Sequence, residues 1–220
     1  MKETILFLPE LYLILTAIGL ILGEVGYHGE RVRMILSTAL LAVGGSMLQL
    51  VLNYAAGAGR YGHGNFVNDG FGLFLKTLLL VSAGIALFAD RKSHEVSLES
   101  RTEHATLILG TTALGMLAVS AVHWIWILFL LFGVQILGSM MFALKKFDRS
   151  AIESAFKGSF LAIYATALLA LSAILFYIVT GEFDLYRIHA VIIEKGVPDR
   201  VFATGFFLFV LSVGFFGTYF

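Results

Sequence analysis

The fold of this chain is decided by WIWILFLLFGVQILGSMMFAL (Trp124–Leu144), the charged loop KKFDRSAIES (Lys145–Ser154) and AFKGSFLAIYATALLALSAILFYIV (Ala155–Val179). Each apolar run exceeds the roughly 18 residues that indicate a helix able to cross a membrane. The first run holds one strongly polar side chain, Gln135, and the second has Lys157 just inside its start. The stretch therefore predicts two membrane helices, each with one polar group that needs an explanation.

The composition of the whole chain agrees with a membrane environment. Of its 220 residues 59% are hydrophobic and only 14% are charged, whereas a soluble domain carries about 25% charged residues. Lys plus Arg equals Asp plus Glu at 15 each, so net charge indicates no acidic or nucleic-acid partner, and we expect no nucleic acid. Cysteine is absent, which excludes disulfides, thiolate chemistry and cysteine-ligated iron–sulfur clusters. The sequence predicts an integral membrane protein in contact with the lipid bilayer.

Hydrophobic runs along the chain predict an all-α, polytopic membrane helix bundle. About seven spans are expected within a single transmembrane domain of residues 1–220: 5–25, 34–55, 71–89, 105–121, 124–144, 155–179 and 201–220. The first run is longer than the apolar core of a signal peptide, so we expect a retained span. Loops one, three and five carry more Lys and Arg than the opposite side, which predicts an outside N-terminus and a cytoplasmic C-terminus.

Three charged residues at or inside the spans each admit two interpretations. Glu10, near the start of the first span, is either a helix-end carboxylate at the interface or a functional acid, and the sequence favours the former. Lys76, two turns into the third span, and Lys157 either extend their amines to water or act as buried cations. Glu153 lies one turn before Lys157, which favours an exposed ion pair there.

The connecting segments carry few chemical signals. The glycine-rich segment from Gly57 to Gly70 lacks periodicity and predicts a surface loop, in which Asp69 caps the third helix. No strand precedes it, so its glycines do not indicate a nucleotide site. The charged segment 90–104 predicts a solvated connection, and we assign no chemistry to His94 or His104.

The edges of the later spans are marked by aromatic and interfacial residues. Trp124 and Trp126 begin the fifth span, and indole rings favour the membrane–water boundary. His123 beside them is interpreted as an interfacial residue, with a proton-loading group as the alternative. The loop after the sixth span has an apolar middle, which is expected to lie along the surface.

Four segments, taken together, resemble a known family. These are PELYLILTAIGLIL (Pro9–Leu22), FVNDGFGLFLKTLLLVSAGIALFAD (Phe66–Asp90), GVQILGSMMFAL (Gly133–Leu144) and DRSAIESAFKGSFLAIYATALLALSAILFYIVTGEFDL (Asp148–Leu185). In this order they resemble subunit N of proton-pumping NADH–quinone oxidoreductase (respiratory complex I), an antiporter-like membrane subunit. The likeness covers nearly the whole chain and corresponds to the N-terminal half of that family.

The resemblance implies a bundle built from two inverted helix repeats, within a complex that moves protons while quinone is reduced. It implies a glutamate in the fifth span paired with a lysine in the seventh, followed by further buried lysines. Lys157 matches the family's lysine early in the sixth span, and Lys76 matches the one in the third. Gln135 occupies the glutamate position, and no lysine appears in the final run VLSVGFFGTYF (Val210–Phe220).

Glutamine at position 135 changes what the chain can do, because an amide cannot gain or lose a proton near neutral pH or hold a lysine protonated. We therefore expect a membrane-arm subunit, truncated or divergent, that contributes to proton translocation, with Lys157, Lys76 and Gln135 as candidates for the proton path. It belongs to a translocase but has no redox centre of its own. NADH and quinone would be used by the complex, and no cofactor would be bound by this chain.

Two other functions remain open at this point. One is a subunit of a multi-subunit cation/proton antiporter, and the other is a structural membrane subunit that does not pump. In each case the partners are other membrane subunits, and the expected location is the bacterial inner membrane or an equivalent energy-transducing membrane.

Overall fold

The computed structural model describes residues 6–26, 32–56, 59–90, 100–144, 148–196 and 200–217. Within them the chain forms eight long or medium helices and one short β-hairpin. The elements are α1 (Leu8–Gly26), α2 (Val32–Ala56), β1 (Gly59–Tyr61), β2 (Phe66–Asn68), α3 (Gly70–Asp90), α4 (Arg101–Ser120), α5 (Trp124–Ala143), α6 (Arg149–Thr180), α7 (Leu185–Lys195) and α8 (Arg200–Gly217). The all-α helix-bundle class predicted from the sequence is confirmed.

Four of the described helices are long and apolar enough to cross a membrane: Met34–Ala55 within α2, then α3, α5 and α6. Two further apolar stretches, Leu8–Gly23 and Arg200–Phe216, are shorter. The predicted total of seven spans is therefore not confirmed. At about 1.5 Å per residue, the 32 residues of α6 measure about 48 Å, which exceeds a hydrocarbon core of about 30 Å.

Helix α4 lies at the centre of the first half of the bundle, where it packs against α1, α2, α3 and α5. Its buried face carries Ala105, Ile108, Leu109, Ala113 and Met116, which join a core with side chains of α1, α2 and α3. A glycine on α4 allows close approach of a neighbouring helix: a Cβ on Gly110 would lie 3.2 Å from a Leu137 methyl of α5. Small residues in α4 therefore let its neighbours pack tightly around it.

The second half of the bundle is built on α6, which packs against α5 on one side and α8 on the other. Two serine hydroxyls join α6 to α8: Ser172 donates to the carbonyl oxygen of Gly205, and Ser212 donates to that of Ala165, each at 2.8 Å. Hydroxyl-to-carbonyl bonds of this kind are a common means of holding membrane helices together.

One end of the bundle is closed by short segments that are distant in sequence. Strands β1 and β2 pair antiparallel, with Tyr61 opposite Phe66. The turn between α4 and α5 adds to this hairpin through a bridge between Phe66 and Ala121. The segment before α7 joins the same turn, because Leu185 donates its N–H to the carbonyl oxygen of Val122 at 3.0 Å. We call this end, formed by residues 59–68, 121–123 and 181–185, the hairpin face.

The structure differs from the sequence-based expectations at several connections. The described part of the glycine-rich segment, residues 59–70, is not simply a surface loop, because Tyr61, Phe66 and Asn68 are buried in the hairpin. His104 is not part of a solvated connection: it lies in the first turn of α4, and its Nδ1 is 3.3 Å from Asp90 Oδ2 at the end of α3. His94 lies outside the described residues.

Other local predictions meet mixed outcomes. Asp69 caps α3 as predicted, accepting the N–H of Gly72 at 2.6 Å. His123 caps α5, with its Nδ1 accepting the N–H of Ile125. Trp126 is partly exposed, whereas Trp124 is buried against Phe176 and Phe209; the prediction that the two indoles lie at the membrane–water boundary stays a prediction. The apolar middle of the loop after α6 forms helix α7, which Asp184 caps by accepting the N–H groups of Tyr186 and Arg187.

Candidate functional site: a buried ion pair beneath the hairpin

The most unusual feature of the described residues is a lysine–glutamate pair enclosed in the bundle. Nζ of Lys76 on α3 lies 2.6 Å from Oε1 of Glu10 on α1, and the two side chains are 1% and 0% exposed. The expectation that Lys76 extends its amine to water is therefore wrong, as is the interpretation of Glu10 as an interfacial carboxylate. Lysine and glutamate are almost never fully buried unless they are paired.

Local sequence explains how each partner reaches this position. Pro9 and Glu10 begin α1, where the helix dipole favours a carboxylate. The start of α1 is fixed to α2 by Ser46, whose hydroxyl donates to the carbonyl oxygen of Pro9 at 3.0 Å. Lys76 lies on the buried face of α3, which has a helical repeat: Gly72, Lys76, Leu80, Ala83, Leu87 and Asp90. Because α1 and α3 both begin at the hairpin face, their first two turns bring the charges together.

Tyr61 completes the site from the hairpin. Lys76 donates from Nζ to the Tyr61 hydroxyl at 3.2 Å, and the ammonium also lies 5.7 Å from the centre of the Tyr61 ring. The phenol is fully buried. Burial raises its pKa, the Lys76 charge lowers it and the Glu10 charge raises it again. The high glycine content of this segment gave no reason to expect a buried tyrosine. The large side chains of Tyr61 and Phe66, on either side of GHGN, are nevertheless a pattern that indicates a buried hairpin.

The pair has unused hydrogen-bonding capacity. Oε2 of Glu10 is buried and has no hydrogen-bond partner among the described residues. A buried carboxylate oxygen usually has a protein or water partner, and a carboxylate can accept through both oxygens. Oε2 of Glu10 can therefore accept one further hydrogen bond, as is expected of a group that receives a proton or binds a water molecule.

The other predicted site residues do not join this cluster. Lys157 lies at the outer surface of α6, where its Nζ is 2.7 Å from Glu153 Oε1 and the two side chains are 74% and 60% exposed. It therefore faces no polar interior in the described part of the chain. Gln135 is buried on α5, and its Oε1 has no hydrogen-bond partner among the described residues. One turn further on, the Ser139 and Ser159 hydroxyls lie 2.9 Å apart.

Two further features bear on whether the described residues could bind a metal ion or an apolar ligand. Within the described residues no group of three or more His, Asp or Glu side chains could hold a metal ion. A cavity of about 450 Å³ lies between α5, α6, α7 and α8, lined by apolar side chains that include Trp124, Phe176 and Phe209. It contains no polar group that would position a reacting ligand.

The fold and the buried pair define the class of protein: a membrane helix bundle that keeps opposite charges in its interior. No family model matches the chain. Curated relatives confirm the resemblance predicted from the sequence. The chain is 29% identical over 196 residues to subunit N of NADH-quinone oxidoreductase from Desulfovibrio desulfuricans, covering 87% of this chain and 38% of that protein.

A second relative and a solved structure agree with the first. Subunit N from Magnetococcus marinus is 29% identical over 192 residues, covering 84% of this chain and 38% of the relative. A chain of respiratory complex I from Thermus thermophilus, solved with bound aureothin, superposes with a TM-score of 0.73 at 20% identity, covering 94% of this chain and 43% of that one. This chain is thus similar to complex I subunit N and spans about two fifths of its length.

Proposed function

We propose that this chain is a membrane-arm component of a proton-translocating NADH–quinone oxidoreductase and that the Glu10–Lys76 pair is an ionisable element of its proton path. The proposal is carried by one observation, an ion pair with both side chains essentially unexposed. Such a pair is weak evidence for stability, because removing two charges from water costs about as much as their attraction returns. Ionisable groups kept inside a membrane bundle are functional candidates by default.

The pair can change its protonation without leaving its place. In one state Lys76 is an ammonium and Glu10 a carboxylate; in the other the proton has passed from Nζ to Oε1, and both groups are neutral. The 2.6 Å between these atoms is shorter than an ordinary N–H···O hydrogen bond, and it is close enough for a proton to pass directly between them. A charge that arrives nearby changes the balance between the two states, because the low dielectric of the interior weakens screening.

The roles of the surrounding chain follow from this proposal. NADH, quinone and the redox cofactors would be handled by partner subunits, and this chain would bind none of them. It would lie in the bacterial inner membrane, with the hairpin face outside if the loop charges set the orientation. Lys157 and Gln135 are linked to the path only by the resemblance. Neither touches the buried pair through a contact described above, and Lys157 faces outward with Glu153, so the proposal does not depend on it.

The test is proton pumping against electron transfer in the assembled complex. Lys76→Met removes the cation and should lower the protons moved per NADH oxidised, while Lys76→Arg keeps a charge and should retain part of the coupling. Arg149→Met removes an exposed cation at the start of α6 and serves as the matched control. Pumping per NADH that is unchanged in Lys76→Met, with the subunit fully assembled, would contradict the proposal.

The alternatives make different predictions in the same membranes. An antiporter subunit predicts sodium-dependent exchange without NADH oxidation. A structural subunit predicts that neutralising both Lys76 and Lys157 alters assembly but leaves coupling intact. Gln135 is the observation that favours the structural alternative, because a buried amide cannot relay a proton by ionising.

A further inference from the structure

A pocket with mostly apolar walls and a few polar side chains opens on the hairpin face. Its volume is about 300 Å³, and its lining includes Asp69, Ser120, Tyr186 and His189. Tyr186 is 49% exposed, and His189 is also exposed, so the rim of the pocket reaches the surface. A volume of this size can hold several water molecules, so the pocket can bring water from the surface to the polar side chains that line it.

Ser120 lines this pocket. It is the last residue of α4 and is 2% exposed. Its Oγ is buried and meets no partner at full hydrogen-bond geometry among the described residues, although it is near enough to Tyr61 to affect the phenol. Buried hydroxyls rarely lack a well-placed partner, so a hydroxyl that lines a pocket large enough for water indicates a site for a water molecule.

On its other side Ser120 lies next to Tyr61. Leu117 and Ala121, which flank Ser120 on α4 and the turn after it, pack in one cluster with Tyr61 and Phe66. Phe66 also forms a backbone bridge with Ala121. The Ser120 hydroxyl acts directly on the phenol, lowering a Tyr61 pKa that burial raises. Ser120 therefore separates the pocket from the phenol by a single side chain.

The donor and acceptor roles of these hydroxyls run in one direction. The Tyr61 oxygen already accepts a hydrogen from Lys76. The Ser120 hydroxyl lowers the pKa of the phenol, which is the effect of a hydroxyl that donates toward the phenol oxygen. A hydroxyl can accept while it donates, so Ser120 can take a hydrogen from water in the pocket as it gives its own to Tyr61. The sequence of groups from the surface inward is water, Ser120, Tyr61, Lys76 and Glu10.

We propose that this pocket is the water-filled access route through which protons exchange between the hairpin face and the Glu10–Lys76 pair, with Ser120 and Tyr61 as the relay. The inference rests on the proposed function of the pair. It adds that protons reach the pair from the hairpin face. Proton balance is kept, because each hydroxyl receives one hydrogen as it releases another.

Access to the pocket can be measured without any assay of pumping. The chain has no cysteine, so Ser120→Cys creates its one thiol, and modification by a membrane-impermeant methanethiosulfonate is read as a mass increase of this chain in membranes holding the assembled complex. Ala113→Cys is the matched control, because Ala113 lies two turns earlier on α4 and is fully buried in the apolar core. We expect modification at 120 and none at 113. Val67→Cys, which also lines the pocket, replaces Ser120→Cys if that variant does not assemble.

The relay is tested separately through coupling. Tyr61→Phe keeps the ring and removes the hydroxyl, and we expect a severalfold fall in protons moved per NADH. Protection of positions 120 and 67 from the reagent would overturn the access route even if Lys76→Met abolished pumping. Modification of both with full coupling in Tyr61→Phe would overturn the relay. If Lys76→Met left pumping unchanged, the proposed function would fail while the labelling result still decided whether the pocket holds water.

Discussion

Removing one member of the buried pair should cost much more stability than removing both. At an effective dielectric constant of about 20, two unit charges 2.6 Å apart attract by about 6 kcal/mol. Burying each ion costs several kcal/mol, so the intact pair is close to balanced. Lys76→Met leaves the Glu10 carboxylate buried without a counter-charge, and Glu10→Gln leaves the ammonium in the same condition. We expect each single change to lower the free energy of unfolding by about 3–5 kcal/mol.

The double variant Glu10→Gln/Lys76→Met leaves no buried charge and should lose far less than the sum of the two single losses. The assay is titration of the purified chain from mild detergent into dodecyl sulfate, followed by the fluorescence of Trp124 and Trp126. The control is the same cycle on Glu153 and Lys157, a pair of almost equal distance at 2.7 Å that is largely exposed. No coupling above error is expected there. Additive losses at Glu10 and Lys76 would refute the reasoning, because they would mean that the two charges do not share one desolvated site.

Three further outcomes follow from the described contacts. Lys157→Met should leave proton coupling in the assembled complex unchanged, because its amine faces outward with Glu153; a loss of coupling would restore Lys157 to the path. Gln135→Glu should destabilise the chain more at pH 8 than at pH 5 in the same unfolding assay, because the buried site offers no described partner to a carboxylate. Equal stability at the two pH values would show that the site is hydrated. Ser172→Ala and Ser212→Ala should each cost about 1 kcal/mol by removing the 2.8 Å bonds between α6 and α8, whereas Ser154→Ala on an exposed turn of α6 should change unfolding by less than the error.

The helices were predictable because their signal is local. Apolar length alone predicted 71–89 and 124–144, and the structure forms helices over Gly70–Asp90 and Trp124–Ala143. Helix ends were less accessible to sequence reasoning. The charges between 90 and 104 suggested a solvated segment, yet α4 begins at Arg101 and Asp90 is buried against His104. Asp90 at the end of α3 and His104 at the start of α4 lie 3.3 Å apart. A contact between two helices of this kind cannot be predicted from the order of charges along the chain.

The sequence named Lys76 as a candidate, but it did not predict the pairing of Lys76 with Glu10 and Tyr61, because these residues are far apart along the chain. Glu10 and Lys76 each look like helix-end charges when read alone, and an end charge ordinarily reaches water. What buries them is the hairpin, which lies over the ends of α1 and α3 and places the Tyr61 ring above the amine. A signal did exist on α3: Lys76 shares its helical face with Gly72, Leu80 and Ala83, the small and apolar residues of a packed surface.

The geometry of α3 also limits what the pair can do. Lys76 and Asp90 lie on the same buried face, separated by fourteen residues or about 21 Å of helix. On this face Leu80, Ala83 and Leu87 fill the interval and are 0–4% exposed, so the buried face of α3 offers no polar side chain between them. Thr77 and Ser82 also lie in the interval, but each donates its hydroxyl to a backbone carbonyl of the preceding turn. A proton that reaches Lys76 from the hairpin face must therefore return the same way or move sideways to a neighbouring chain or helix. The pair then takes up and releases a proton on one face only, and its charge acts electrostatically on neighbouring groups. Transfer of a proton across the membrane requires groups outside α1 and α3.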